Sequence, residues 1–384
     1  MKVSSITLQN FRNFPDLSLT FSPGVNILSG PNGSGKTNLL EALETLCLGR
    51  SQRLNATDST LITQASDFFR LEGKLSSDKQ EFSVSVAFQA TSPARGKRVF
   101  LNEQPTKLSE LFRIASLVVL SPEDSAIVSG APSLRRKFLD LHLSQSSIRY
   151  LDDLTHYQRT LNQRNSHLRQ FGIGSEGTPF DDQLIEYGSS ITRTRSEFLQ
   201  DISNDLNSIY RTLDPGVRCL CRYLPSALLS TSERAQETGP EQSGTVSQRL
   251  ELESIQESFR RRLQARQSQE ARREVSLVGP HRDDFELWIG DLPARTHGSQ
   301  GEWRSLVIAL KLAVFTFLRH RRGESPLLLL DEVFAELDDG RQRALIDSFG
   351  ELGQLFLTTA LEPPAAMASG ALILQVEGGR VSPF

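Results

Sequence analysis

The chain is poor in sulfur and in tryptophan. Its 384 residues hold three cysteines, two methionines and two tryptophans. Cys47, Cys219 and Cys221 are odd in number and lack the C-x-x-C spacing of a zinc or redox centre. That argues against a disulfide framework and for a reducing cytosol. Long apolar runs are missing as well. None approaches the ~18 residues of a membrane span. The start, Met1-Lys2-Val3-Ser4-Ser5-Ile6, lacks the apolar core of a signal peptide. A cytoplasmic protein without a membrane partner is expected. Excess charge of one sign is also absent: 43 Lys+Arg against 46 Asp+Glu leave a net charge of −3. Any nucleic-acid surface must therefore be a local patch. Aromatics do not alternate with basic residues as they do in a single-strand groove, and no internal repeat is evident. What remains is 38% hydrophobic and 23% charged, enough for a soluble chain of two or three domains.

The most informative stretch that is present is Gly30-Pro31-Asn32-Gly33-Ser34-Gly35-Lys36-Thr37. It fits the phosphate-loop pattern G-x-x-x-x-G-K-[ST] at every fixed position. Val25-Asn26-Ile27-Leu28 before it reads as a buried strand, and Asn38–Leu43 after it as the start of a helix. The glycines let backbone N–H groups turn inward around phosphates, and the helix start adds partial positive charge. Lys36 would reach the β- and γ-phosphates, and Thr37 would offer its hydroxyl to Mg²⁺. ATP and Mg²⁺ are the expected cofactors.

Further along, residues 3–8, 17–21, 68–75, 81–88, 98–101 and 114–120 read as strands. From about 132 to 214 the period becomes helical, and the helices it suggests are three to six turns long. The polar stretch 228–247 reads as a mobile loop. Leu252, Ile255, Phe259 and Leu263 stripe another helix, and strands return from Val275. Leu327–Leu330 is a fully apolar strand ending in Asp331-Glu332. Asp331 at such a strand end can hold Mg²⁺, and Glu332 can polarise an attacking water. The pair lies roughly 300 positions beyond Lys36, where a compact βαβ phosphate-loop domain places it within about 100. The expected fold is therefore an α/β ATPase head split in sequence. Residues 1–125 and 273–384 would form its halves, with a mainly helical domain inserted at 126–272.

Gly298-Ser299-Gln300-Gly301-Glu302 precedes another helical run, and Ala335-Glu336-Leu337-Asp338 follows the acidic strand. A serine at a helix start is most often a cap, but it also offers a second phosphate-binding surface. Phosphate loop, Ser-Gln-Gly segment, acidic strand and Glu-Leu-Asp segment together resemble ABC-type ATPase heads of the SMC class. Within that class the chain is similar to the bacterial recombination mediators. The likeness is also carried by Leu8–Phe14, Leu120–Asp124, Gly130–Asp140, Tyr157–Asn165, Val278–Asp284 and Ser299–Ala313.

The resemblance implies an ATP-dependent homodimer. Ser299 and Gly301 of one subunit would contact the γ-phosphate held by the other. Glu332 would serve as the hydrolytic base, with Lys36, Thr37, Asp331 and Mg²⁺ in place. It further implies a weak DNA-dependent ATPase that binds double-stranded and gapped DNA at the nucleoid. Such proteins work with RecO and RecR to load a recombinase in recombinational repair and replication restart.

Two positions depart from the wider pattern. Glu302 stands where transporter-type ATPases have glutamine. Thr358-Thr359 stands where many relatives have a switch histidine, so slow turnover is expected. The sensor loop is Ser121-Pro122-Glu123-Asp124 by position. Arg12 either touches the nucleotide or is an exposed turn arginine. Among the basic clusters, Arg135-Arg136-Lys137 is the best candidate for DNA phosphates, although its arginines could instead pair with Asp140 on the same helix. His281 with Asp283-Asp284 is poor geometry for one metal and reads as a structural turn. Two rival functions remain. An ATPase-coupled nuclease needs a second carboxylate cluster, and an SMC-like chromosome tether needs a long coiled coil.

Overall fold

A computed structural model describes residues 1–53, 56–77, 80–93, 95–173, 177–228, 251–336, 339–348, 353–362 and 365–383. The polar stretch 228–247 lies outside them except for Leu228. The chain forms two compact units, Met1–Asp124 with Val314–Phe384, and Ser125–Ala313.

The first unit is built on two sheets. One is antiparallel, made of β1 (Lys2–Phe11), β2 (Phe14–Thr20), β4 (Phe68–Ser76), β5 (Glu81–Gln89), β6 (Gly96–Leu101) and β7 (Gln104–Thr106), in the order β2-β1-β4-β5-β6-β7. Its strands alternate as one-sided sheets do. In β4, Phe69, Leu71, Gly73 and Leu75 are buried while Arg70, Glu72 and Lys74 are exposed. Helix α1 (Lys36–Leu48) lies directly on this sheet. Gly73 permits the approach, because a Cβ there would strike the Leu46 side chain.

The other sheet runs β15-β14-β3-β13-β12-β8. It comprises β3 (Val25–Ser29), β8 (Leu117–Leu120), β12 (Leu327–Asp331), β13 (Leu355–Thr359), β14 (Leu372–Glu377) and β15 (Arg380–Pro383). All its pairs are parallel except β14–β15. A parallel sheet buries both faces, which is why β12 is an unbroken apolar run. Leu327, Leu328, Leu329 and Leu330 are all 0% exposed, each stabilising the unit by roughly 1.5–3 kcal/mol. The expected strand at 114–120 is shorter. Helix α2 (Leu108–Ile114) takes its first residue, and Ala115 N–H bonds back to Leu111 O, so the strand begins at Leu117.

The second unit contains the short α3 (Ala126–Ser129), α4 (Pro132–Ser146), α5 (Ile148–Phe171), α6 (Asp181–Leu213) and α7 (Leu252–Arg273). Helix α6 has 33 residues, about nine turns, well beyond the three to six turns expected. Gly188 does not break it, because its missing side chain makes room for Phe259 and Tyr157. The unit also has a three-stranded sheet, β11-β10-β9, made of β9 (Cys219–Leu224), β10 (Asp284–Ile289) and β11 (Leu292–Pro293). Strand β10 pairs with β9 along its whole length. That pairing ties residues 284–289 to this unit, and the compact unit runs on through α8 (Ala294–His297) to Ala313 within α9 (Gln300–Arg322).

Candidate nucleotide site

The phosphate loop joins the C-terminal end of β3 to α1, as its sequence requires. Gly35 has φ 113°, and a Cβ there would strike the Asn13 amide. Asn13 was missed in the sequence. It donates to Ser34 O (3.1 Å) and accepts from Asn38 Nδ2 (2.8 Å), fastening the β1–β2 turn to the loop. A charge-free turn residue gives no pattern that would reveal this.

Sheet register assembles the rest. Strand β13 lies between β3 and β12, with Leu28 opposite Thr358 and Thr358 opposite Asp331. Phosphate loop, acidic pair and switch position thus meet at one strand end, the place where open α/β sheets bind ligands. Asp331 Oδ1 accepts from Thr37 Oγ1 (2.9 Å) and Thr358 Oγ1 (2.7 Å). Burial raises the Asp331 pKa above the usual carboxylate value, and those two hydroxyl donors oppose the rise. Lys36 is 4% exposed. Its Nζ donates to Gly30 O (2.7 Å) and Pro31 O (3.1 Å) and pairs with Glu332 Oε1 at 3.0 Å. A terminal phosphate reaching Lys36 competes with these partners. Glu332 is held on its other oxygen by Ala360 N–H at 3.3 Å.

The residues fit a triphosphate with Mg²⁺. Ser34 Oγ is buried with no hydrogen-bond partner, a donor for which a loop-bound phosphate supplies the acceptor. Thr37 and Asp331 converge as a hydroxyl and a carboxylate, the hard oxygen donors Mg²⁺ takes beside phosphate oxygens. Strand β8 pairs with β12, so Ser121–Asp124 follows at the same end of the sheet. There Asp124 accepts from Ser121 N–H at 2.8 Å. Of the Glu-Leu-Asp segment, Leu337 and Asp338 lie outside the described residues.

Arg12 is half-buried and bonded rather than an exposed turn residue. Its Nε and Nη2 grip Glu41 at 2.8 Å each, and Nη1 donates to Thr60 O at 2.9 Å. Arg53 and Ser51 also reach Glu41.

Ser299 and Gly301 belong to the second unit. Ser299 caps α9 in a reciprocal box: Glu302 N–H donates to Ser299 Oγ (3.3 Å), and Ser299 N–H donates to the Glu302 carboxylate (2.8 Å). Ser299 Oγ also donates to that carboxylate at 2.7 Å. Glu302 therefore folds back on the signature serine, as capping glutamates do.

The DNA candidates fare unequally. Arg135 is 4% exposed. It holds Asp284 with two bonds and donates to Ile127 O and Gly130 O. A buried guanidinium with these partners cannot meet a duplex, so this candidate is corrected to a structural residue. Arg136 donates to Asp283 O, and only Lys137 of the three is exposed. Asp140, the alternative partner, pairs instead with Arg195 and Tyr150. The turn that carries His281 and Asp283 is tied into the second unit by hydrogen bonds. Asp283, 0% exposed, accepts from Tyr223 Oη and Ser226 N–H and pairs with Arg195. His281 bonds Tyr157 Oη (2.6 Å) and Ser276 O (3.0 Å).

The sequence matches the family described as RecF/RecN/SMC N terminal domain over residues 2–376. It is 35% identical over 365 residues to the DNA replication and repair protein RecF of Halalkalibacterium halodurans, covering 94% of this chain and 92% of that one. Against the RecF of Exiguobacterium sp. the identity is 37% over 364 residues, with the same coverage. A solved structure described as the recombination mediator protein RecF-ATP in the RecFOR pathway superposes with a TM-score of 0.85 at 29% identity. The match covers 100% of this chain and 97% of that one.

Proposed function

The chain belongs to the RecF family, within the RecF/RecN/SMC class of ABC-type ATPase heads, and from that premise we propose that it is an ATP-switched DNA-binding protein of recombinational repair and replication restart. ATP closes two copies on double-stranded or gapped DNA, and hydrolysis reopens them. The closed dimer promotes recombinase loading together with RecO and RecR, in the cytoplasm at the nucleoid.

The observation that carries the nucleotide part is the β3-β13-β12 register, which sets Thr37, Asp331 and Glu332 around the phosphate loop. The loop N–H groups and Lys36 bind the phosphate chain. Thr37 and Asp331 are the residues that would hold Mg²⁺, which supplies charge neutralisation at the phosphates. Glu332 then stands free of Lys36 to take a proton from water. Ser299 and Gly301 of a second copy complete the site from α9, with Glu302 leaving the serine as that phosphate arrives. The DNA part is supported by the name and function of the RecF relatives. Exposed Lys137 is the residue of its cluster suited to a phosphate contact.

The test is sedimentation of wild type, Lys36→Ala and Ser299→Ala with ATP, Mg²⁺ and a gapped duplex. Wild type shifts from monomer to dimer on DNA, and both variants stay monomeric. A wild type that binds ATP without changing its oligomeric state sinks the clamp.

A further inference from the structure

The two successive threonines at the end of β13, Thr358 and Thr359, behave differently. Side chains alternate along a strand. Thr359 Oγ1 turns to its own loop, bonding Leu361 N–H and O at 3.1 Å each. Thr358 Oγ1 crosses to the neighbouring strand, and Thr358 is 1% exposed. It donates to Asp331 Oδ1 (2.7 Å) and accepts from the backbone N–H of Glu332 (2.9 Å). One hydroxyl therefore holds both members of the acidic pair, the first by its carboxylate and the second by its backbone.

The second bond falls on a strained residue. Glu332 has φ 51°, a left-handed conformation that costs a non-glycine residue on the order of 1–3 kcal/mol and persists only where neighbours impose it. A regular strand would send residue 332 to the opposite face from 331. The left-handed kink instead lets the Glu332 carboxylate reach Lys36. We infer that Thr358 is a positioning residue for hydrolysis: its hydroxyl pins the kink that aims Glu332 and fixes the carboxylate orientation of Asp331. It takes no proton from the reaction and touches no substrate atom. The inference rests on the hydrolytic reading of Glu332 given above.

The full-length chain tests it as wild type, Thr358→Val and Thr358→Ser. Valine keeps the branched shape and removes both bonds; serine keeps the hydroxyl and loses one methyl. Two readouts are taken: steady-state ATP turnover with kcat and KM separated, and amide hydrogen exchange at Glu332 without nucleotide. Misaiming a catalytic group by about 1 Å costs roughly 100-fold in rate. For Thr358→Val the expected result is a fall in kcat of about that size, with ATP binding unchanged within about twofold and loss of protection at the Glu332 amide. Thr358→Ser restores both turnover and protection. Protection and kcat unchanged in Thr358→Val overturn the inference, and so does a serine variant as slow as the valine one. If valine prevents folding, Thr358→Ala removes the same two bonds and is read in its place, with the same two outcomes. A wild type that does not hydrolyse ATP sinks the hydrolytic reading instead, while amide exchange still reports on the kink.

Discussion

In the first unit, Asp331 and Glu332 at the end of a parallel strand and Lys36 at the start of α1 are each held by bonds that a phosphate or a cation can replace. In the second unit, Arg164 and Arg195 are each 1% exposed and sit among partners that nothing replaces. Arg164 holds Asp181, Ser276 and Glu270, while Arg195 holds Asp140, Asp283, Tyr150 and Pro280 O. Both regions are rich in charged residues, yet one set is arranged to exchange partners and the other to keep them. The difference lies in placement. Strand ends open to ligands at one edge of a sheet, whereas helices α5, α6 and α7 bury their facing charges in one another. A motif of charged residues therefore does not by itself say whether its charges work on a ligand or on the fold.

The comparison breaks most visibly at its first member. Glu332→Gln keeps the shape and removes the carboxylate, so with the proposed role of Glu332 as base ATP turnover falls by roughly 10²- to 10⁴-fold while ATP still binds. Rapid-quench hydrolysis beside equilibrium ATP titration checks it, and equal loss of both would move Glu332 into the binding set. In the second unit the expected loss is stability. Arg195→Met strands the buried Asp283 and costs about 3–5 kcal/mol, read as a shift of the urea midpoint. A variant as stable as wild type would show that Asp283 finds other donors.

Acid sharpens the same contrast. Burial pushes His281 down to about 4; Ser276 O opposes the shift and Arg282, Arg136 and Arg164 add to it. The unfolded imidazole titrates near 6.5, so neutral His281 contributes its full stability above that pH. The contribution falls as protons bind the unfolded chain first. Between about pH 6.5 and pH 5 the second unit should lose on the order of 2 kcal/mol, and His281→Gln should flatten that slope in urea titrations. The smallest expected effect is Ser299→Ala, which removes the α9 cap. It costs about 1 kcal/mol in thermal melts without nucleotide, a loss distinct from the ATP-dependent dimerisation that the proposal expects it to abolish.

The strand–loop–helix of the nucleotide site was legible because glycine spacing, the Lys36-Thr37 pair and an apolar run before a carboxylate pair are local patterns. The split head was legible from the distance between the two motifs. Arg135 was misread because a basic triplet looks the same whether it faces solvent or a buried Asp284. The length of α6 was underestimated because a stripe of apolar residues marks a buried face without marking where the helix ends. The strand at 114–120 was overextended because apolar Ile114 suits either a helix end or a strand start.

The sequence by itself determined the family, the phosphate loop and the residues whose chemistry suits ATP, since each is written in neighbouring positions. Only the tertiary structure decided that Asn13 braces the loop, that Arg12 and Arg135 are committed to carboxylates, and that Thr358 ties Asp331 to Glu332. Those facts depend on which strands lie side by side and in what register. Register is fixed by hydrogen bonding and burial between segments far apart in the chain, so no local pattern records it.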